Sequence, residues 1–198
     1  MLTGPLGEMS MFSQKKRIVT SIALILLMKS GSVLARDGFE AFQPRSAPAP
    51  ADWKIFMEAN ESFRQRLWDY QSQRGLKLGD WAWGWRLGWT RACGASTTEW
   101  CAAILKDGLA DKALLVRADA AKRIGERYAG SGDQAMIKLL EAAAVDPRNS
   151  RNGKPLIVHE RILYALKSIG GRDATAAGTR IATRDAQSAV YWSRISAM

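Results

Sequence analysis

"LLVRADAAKRIG" (residues 114–125) and "LIVHERILYALKSIG" (residues 156–170) are the two stretches whose reading decides the fold. Each sets a valine before a basic residue, Val116-Arg117 and Val158-His159. Small or apolar residues then follow four, five and eight positions after the valine: Ala120, Ala121 and Ile124 in the first, Ile162, Leu163 and Leu166 in the second. Spacings of three and four place side chains on one face of an α-helix. The spacing predicts helices over 111–129, stopped by Gly130, and over 155–170, where Pro155 suits a first turn. The two valines stand 42 positions apart, inside the period of roughly 40–47 residues at which some helical repeats recur.

The same pattern extends in both directions. Asp133 opens a helix to about Val145, which Asp146-Pro147 stops. Ser96 and Glu99 have the spacing of a capping box, and the helix behind them carries Trp100, Ala103 and Ile104 and ends near Gly108. Asp52 can cap one long helix to about Arg74, stopped by Gly75. Its stripe is Trp53, Phe56, Met57, Phe63, Leu67 and Tyr70, with Asn60 as the polar interruption. A last helix is expected over 173–183, and residues 186–198 read as a C-terminal tail. No segment reads as a strand. The expected class is all-α, built of helical hairpins with short connections.

"VRADAAKRIG" (116–125) resembles the second helix of a HEAT-type repeat, in which Val-Arg is followed by Ala-Ala and then Leu/Ile-Gly. The resemblance covers about 75 residues, as two hairpins over 97–129 and 133–171, with 53–92 as an aberrant first one. The second copy departs from the pattern, with His159 in place of Arg and Leu163 in place of a small residue. The resemblance implies a short right-handed α-solenoid over residues 52–185, used as a binding scaffold, and implies no catalytic residues and no cofactor.

The N-terminus carries a different signal. Lys15, Lys16 and Arg17 precede an apolar run from Ile18 to Met28, and short residues follow around Val33-Leu34-Ala35. This is the form of a secretory signal peptide over residues 1–35. The run is 11 residues, too short for the roughly 20 that span a bilayer, so no transmembrane segment is expected after cleavage. The expected location is periplasmic or secreted. Residues 36–51 are rich in Pro and Ala and read as a linker. The whole chain carries 29 basic and 19 acidic residues, a net charge of +10. Residues 36–198 keep 25 against 18, a net charge of +7. A basic surface suits an anionic partner, though charge alone is unspecific. One histidine and two cysteines argue against a metal site built from His and Cys.

Export bears on Cys93 and Cys101, because two cysteines in an oxidising compartment usually pair. A tight helical hairpin brings Cα atoms within reach of a disulfide. A redox-active pair or two free thiols are the alternatives. Just before Cys93 lies "GDWAWGWRLGWTRAC" (79–93), with four of the eight tryptophans. In a helix, Trp81, Trp85 and Trp89 stack at spacing four, and Trp83 falls off the stripe as the one to be exposed. Gly84 and Gly88 each cost about 1 kcal/mol there, which a close neighbouring helix would offset. The stripe reads either as core or as a stacking platform for sugars or bases beside Lys77, Arg86 and Arg91.

His159, Asp119 and Glu160 have no nucleophile constellation around them, and His159 is expected on a surface ridge. The loop "DPRNSRNGKP" (146–155) holds Arg148, Arg151 and Lys154 and reads either as a solvated loop or as an anion or partner contact. Lys122, Arg123 and Arg127 form a second basic patch. The function these features suggest is non-catalytic: a scaffold for another macromolecule, most readily an envelope protein, with Arg148, Arg151, Lys154, Trp83, Arg86 and His159 as candidate contacts. A binder of anionic polymer is the second reading, and a HEAT-like glycosylase or lyase the third.

Overall fold

The computed structural model describes residues 38–40 and 42–198. The expected signal peptide lies outside the described residues. The chain divides into two units, Met1–Phe42 and Gln43–Met198. In the first, residues 38–40 form a turn.

The second unit is all-α. Its helices are α1 (Pro50–Glu58), α2 (Glu61–Gln73), α3 (Trp83–Cys93), α4 (Glu99–Leu109), α5 (Leu114–Arg127), α6 (Gln134–Ala144), α7 (Ile157–Ile169), α8 (Gly171–Ala182) and α9 (Ala186–Ser196). None among the described residues is long and apolar enough to cross a membrane. Helices α4–α5, α6–α7 and α8–α9 pair as neighbours in sequence. Across the pairs, α3 packs on α5, α5 on α7 and α7 on α9, while α6 packs on α8. A Cβ at Gly125 on α5 would lie 2.6 Å from the Cα of Ala165 on α7, so the bare glycine is what lets these two helices touch along their backbones.

The expected single helix over 52–74 is two helices. Asn60, the polar interruption in its stripe, is extended and caps α2, its side chain accepting from Phe63 N at 2.8 Å. The Arg64 guanidinium turns back and donates to the carbonyls of Phe56, Met57 and Ala59 at the end of α1. That side chain satisfies carbonyls a helix end leaves open. Pro50, not Asp52, opens α1, as its fixed φ favours.

Three other expectations change. Ser96 and Glu99 make no capping box, for Thr98 is the residue before α4. The hydroxyls of Ser96 and Thr98 instead turn to the Glu61 carboxylate, whose hydrogen bonds hold it below the usual carboxylate range. Residues 186–198 are no tail, since Asp185 caps α9 by accepting from Ser188 N at 2.7 Å. The loop after α6 contains a β-hairpin, with β1 (Ser150–Arg151) antiparallel to β2 (Lys154–Pro155). Asn152 and Gly153 both take positive φ, 54° and 72°, as a two-residue hairpin turn of the Asn-Gly kind requires.

The tryptophan stripe is core. Trp81, Trp85 and Trp89 are buried, and Trp89 is ringed edge-on by Phe56 at 4.7 Å, Trp68 at 5.2 Å, Trp81 at 5.5 Å and Trp100 at 6.0 Å. Such pairs add roughly 0.5–1.5 kcal/mol each to the burial of their area. The glycines of α3 admit this packing. A Cβ at Gly88 would meet the Trp53 ring at 2.8 Å, on α1, and one at Gly84 would meet Pro48 at 2.9 Å. The end of the expected linker therefore lies against α3, where Pro44 O also accepts from Ala82 N at 2.6 Å. Cys93 and Cys101 are joined, with Cα atoms 4.9 Å apart, and tie the end of α3 to the start of α4.

Candidate functional site

Two buried arginines position the polar features of the surface. Arg86, on α3, donates from Nε and Nη2 to Asp111 at 2.6 and 3.0 Å and from Nη1 to Trp81 O. Both side chains of this pair are buried, 2% and 4% exposed. Arg86 is thus no partner contact, contrary to expectation, because a guanidinium this desolvated is held inside by its carboxylate. Arg117, one step after Val116 on α5, donates from Nε to Asn149 Oδ1 at 2.7 Å and from Nη2 to Arg148 O at 2.8 Å. Its Nη1 reaches Asp111 O and Lys112 O at 2.8 and 3.0 Å. Burial lowers the Arg117 pKa, and the Arg148 charge adds to that.

Asn149 is fully buried. Its Nδ2 donates to Ala143 O at 2.9 Å, and its carbonyl accepts from Leu156 N at 2.8 Å. Arg117 and Asn149 therefore anchor the root of the β-hairpin, whose tip presents Arg151 and Lys154 to solvent. Arg148 is half exposed and clamped on Asp146, with Nη2–Oδ2 at 2.5 Å. The clamp raises the Arg148 pKa and lowers that of Asp146, through their hydrogen bond first. Of the three basic residues read from this loop, Arg151 and Lys154 stand at the tip, while Arg148 braces the base.

A second feature lies on the face shared by α3, α5 and α7. Leu87, Leu115, Ala118 and Ile157 line an open cleft of about 220 Å³ together with Arg91, Asp119, Lys122 and Arg161. Leu115 is 56% exposed and Ile157 36%. Asp119 is drawn inward, accepting from Thr90 Oγ1 at 3.1 Å and lying 3.7 Å from Arg91 Nε and 3.6 Å from Arg123 Nε. Lys122 in turn lies 3.6 Å from Glu126, so the lining carries three basic side chains against the one acid Asp119, with Arg91 and Lys122 held in ion pairs. Sequence reading singled out Lys122 and Arg123 but missed Leu115, Ile157 and Arg161. The available signal was the pair of apolar residues, Leu115 and Ile157, each just before the repeat valine and hence off the buried face.

Trp83 is 54% exposed, as its place off the stripe suggests. His159 is 5% exposed and not on a surface ridge; it lies on α7, against which α5, α6, α8 and α9 all pack. Desolvation holds its imidazole below the ordinary value, Arg184 adds to this, and Asp185 opposes it. The structure does not bring His159 and Trp83 together with the hairpin tip as one site. Among the described residues, no three or more His, Cys, Asp or Glu side chains converge as metal ligands would. Comparison with protein-family models, curated proteins and solved structures returns no match for this chain.

Proposed function

We propose that this chain is a short, right-handed, HEAT-like scaffold, non-catalytic and exported, that binds a protein of the cell envelope through the face of α3, α5 and α7. The observation that carries the reading is the cleft in which Leu115 and Ile157 stay in solvent between Arg91, Lys122 and Arg161. Large apolar side chains kept exposed within a polar rim mark interaction surfaces. A cationic rim selects an acidic segment and speeds its capture. Apolar anchors at the centre of the face supply the short-range affinity. The layering of α3, α5, α7 and α9 beside one another is what supports the repeat assignment. The rigidly rooted hairpin tip adds a second, basic point of contact.

The test immobilises the full chain and passes envelope extract over it at low and moderate salt, with nuclease and cell-wall hydrolase arms. A discrete protein retained at moderate salt by the wild type, and released by Leu115→Glu and by Arg161→Glu, is the expected result. Retention that ignores both substitutions refutes the assignment of the face. The exposed tip residues Arg151 and Lys154, with the net charge of +7 over residues 36–198, favour a second reading, an anionic polymer such as cell-wall glycan or nucleic acid. In that case retention collapses with salt and with hydrolase or nuclease, and depends on Arg151→Glu and Lys154→Glu rather than on Leu115.

A further inference from the structure

Three helices of one layer carry a polar residue one step after a buried apolar one: Trp85-Arg86 on α3, Val116-Arg117 on α5 and Val158-His159 on α7. All six side chains are buried. Arg86 reaches forward to Asp111, in the turn before α5. Arg117 reaches forward to Asn149 and the Arg148 carbonyl, ahead of α7. His159 occupies the corresponding station on α7, and the turn ahead of α9 holds Arg184 and Asp185. There the ladder is broken. Neither ring nitrogen of His159 has a hydrogen-bond partner among the described residues. The Asp185 carboxylate is instead committed to its own helix, accepting from Ser188 N and from Ser188 Oγ, both at 2.7 Å.

We propose that His159 is an acid-sensitive latch on the terminal helix: proton uptake by its buried imidazole draws Asp185 off the N-terminus of α9 and loosens that helix from α7. A neutral imidazole is tolerated in an apolar surround, but an imidazolium there needs a counter-charge. Of the elements packed on α7, which include α5, α6, α8 and α9, the described charged groups whose fields reach the ring are Asp185 and Arg184. Asp185 favours the proton, Arg184 opposes it, and burial opposes it most. The closed state therefore holds the imidazole below its ordinary value of about 6.5, while an opened chain does not. The open form binds more protons, so the closed form keeps its full stability above about pH 6.5 and loses it as the pH falls through the folded value. Strand β2 also packs on α9, so the latch reaches the base of the basic hairpin. The latch stands apart from the identity of any partner.

The experiment is hydrogen–deuterium exchange on the full chain at about pH 7.5 and about pH 5.5, corrected for the intrinsic pH dependence of exchange. Amides of α9 are expected to lose up to about tenfold of their protection relative to α5 at the lower pH, the ceiling one imidazole with an open-state value of about 6.5 can set, and His159→Leu to abolish that loss. Equal protection of α9 at both values, or the same loss in His159→Leu, overturns the latch. The chain's single histidine gives one imidazole signal by NMR, so the wild type tests the idea even if a variant fails to fold. A midpoint below about 6.5 is expected, and one at or above it refutes the closed-state assignment. Asp185→Asn keeps a capping side chain but removes the counter-charge. It is expected to lower the midpoint further, and an unchanged midpoint would show that Asp185 does not couple to the ring.

Discussion

Asp111→Ala strips the carboxylate from a guanidinium that cannot reach solvent. Arg86 and Asp111 are 2% and 4% exposed, and two hydrogen bonds join them at 2.6 and 3.0 Å. Breaking a buried pair from one side costs about 3–5 kcal/mol, because the surviving charge is left uncompensated. Asp111 also accepts from Ala113 N at 2.7 Å in the turn before α5, and losing that hydrogen bond adds about 1 kcal/mol. The sum, about 4–6 kcal/mol, is comparable to the whole stability of many domains, so the variant is expected at the edge of unfolding. Urea titration followed by far-UV circular dichroism reads it as a fall in midpoint at constant slope. The double variant Arg86→Met, Asp111→Ala removes the stranded charge and forfeits the hydrogen bond to Trp81 O. It is expected to be more stable than Asp111→Ala alone, giving a coupling of about 2 kcal/mol or more in the cycle. A cost below about 1 kcal/mol for Asp111→Ala, or two substitutions that simply add, would refute the view that this ion pair is desolvated and mutually dependent.

Gly125→Ala drives a methyl to 2.6 Å from the Ala165 backbone and is expected to cost about 1–3 kcal/mol by overpacking, against the gain of about 1 kcal/mol expected for an open helix site; a stabilised variant would mean that α5 and α7 do not touch there. Reducing Cys93–Cys101, eight residues apart in sequence, is expected to cost about 2.5 kcal/mol on the chain-entropy estimate, read as a lower urea midpoint with dithiothreitol and unchanged in Cys93→Ala, Cys101→Ala. Asn152→Val places a β-branched residue at a φ of 54° and is expected to cost about 1–2 kcal/mol, localised by exchange of the Asn149 and Leu156 amides. Acrylamide quenching should reach Trp83, 54% exposed, and spare Trp81, Trp85 and Trp89, so Trp83→Phe lowers the quenchable fraction; an unchanged fraction in that variant would count against an exposed Trp83.

Much of the helical content was legible locally. Asp133 caps α6 through its side chain, Gly130 at the end of the α5 segment and Gly75 after α2 act through their positive φ, all within one turn, and Cys93 and Cys101 lie at the ends of adjacent helices. The break at Asn60 was visible as a polar residue in an apolar stripe but was read as an exception. What makes it a break is Arg64 turning back on three carbonyls. The hairpin's signal, Asn152-Gly153, sits between strands of two residues each, too short to show an alternating pattern. The candidate site was the least legible part. Arg86 and Arg91 lie on one helix, and their charges look alike in sequence. One is sealed against Asp111, 25 residues on, and the other lines the cleft.

By itself the sequence determined that this chain is helical, where most of its helices stop, and which side chain of the tryptophan segment is left outside, because periodicity and capping act over three or four residues. Tertiary structure alone decided that α1 covers Gly88, that Arg86 and His159 are inside, and that Leu115, Ile157, Arg91 and Arg161 meet in one cleft. Those outcomes depend on which helix crosses which, and a residue's own neighbours in sequence carry no record of the partner that will cover it.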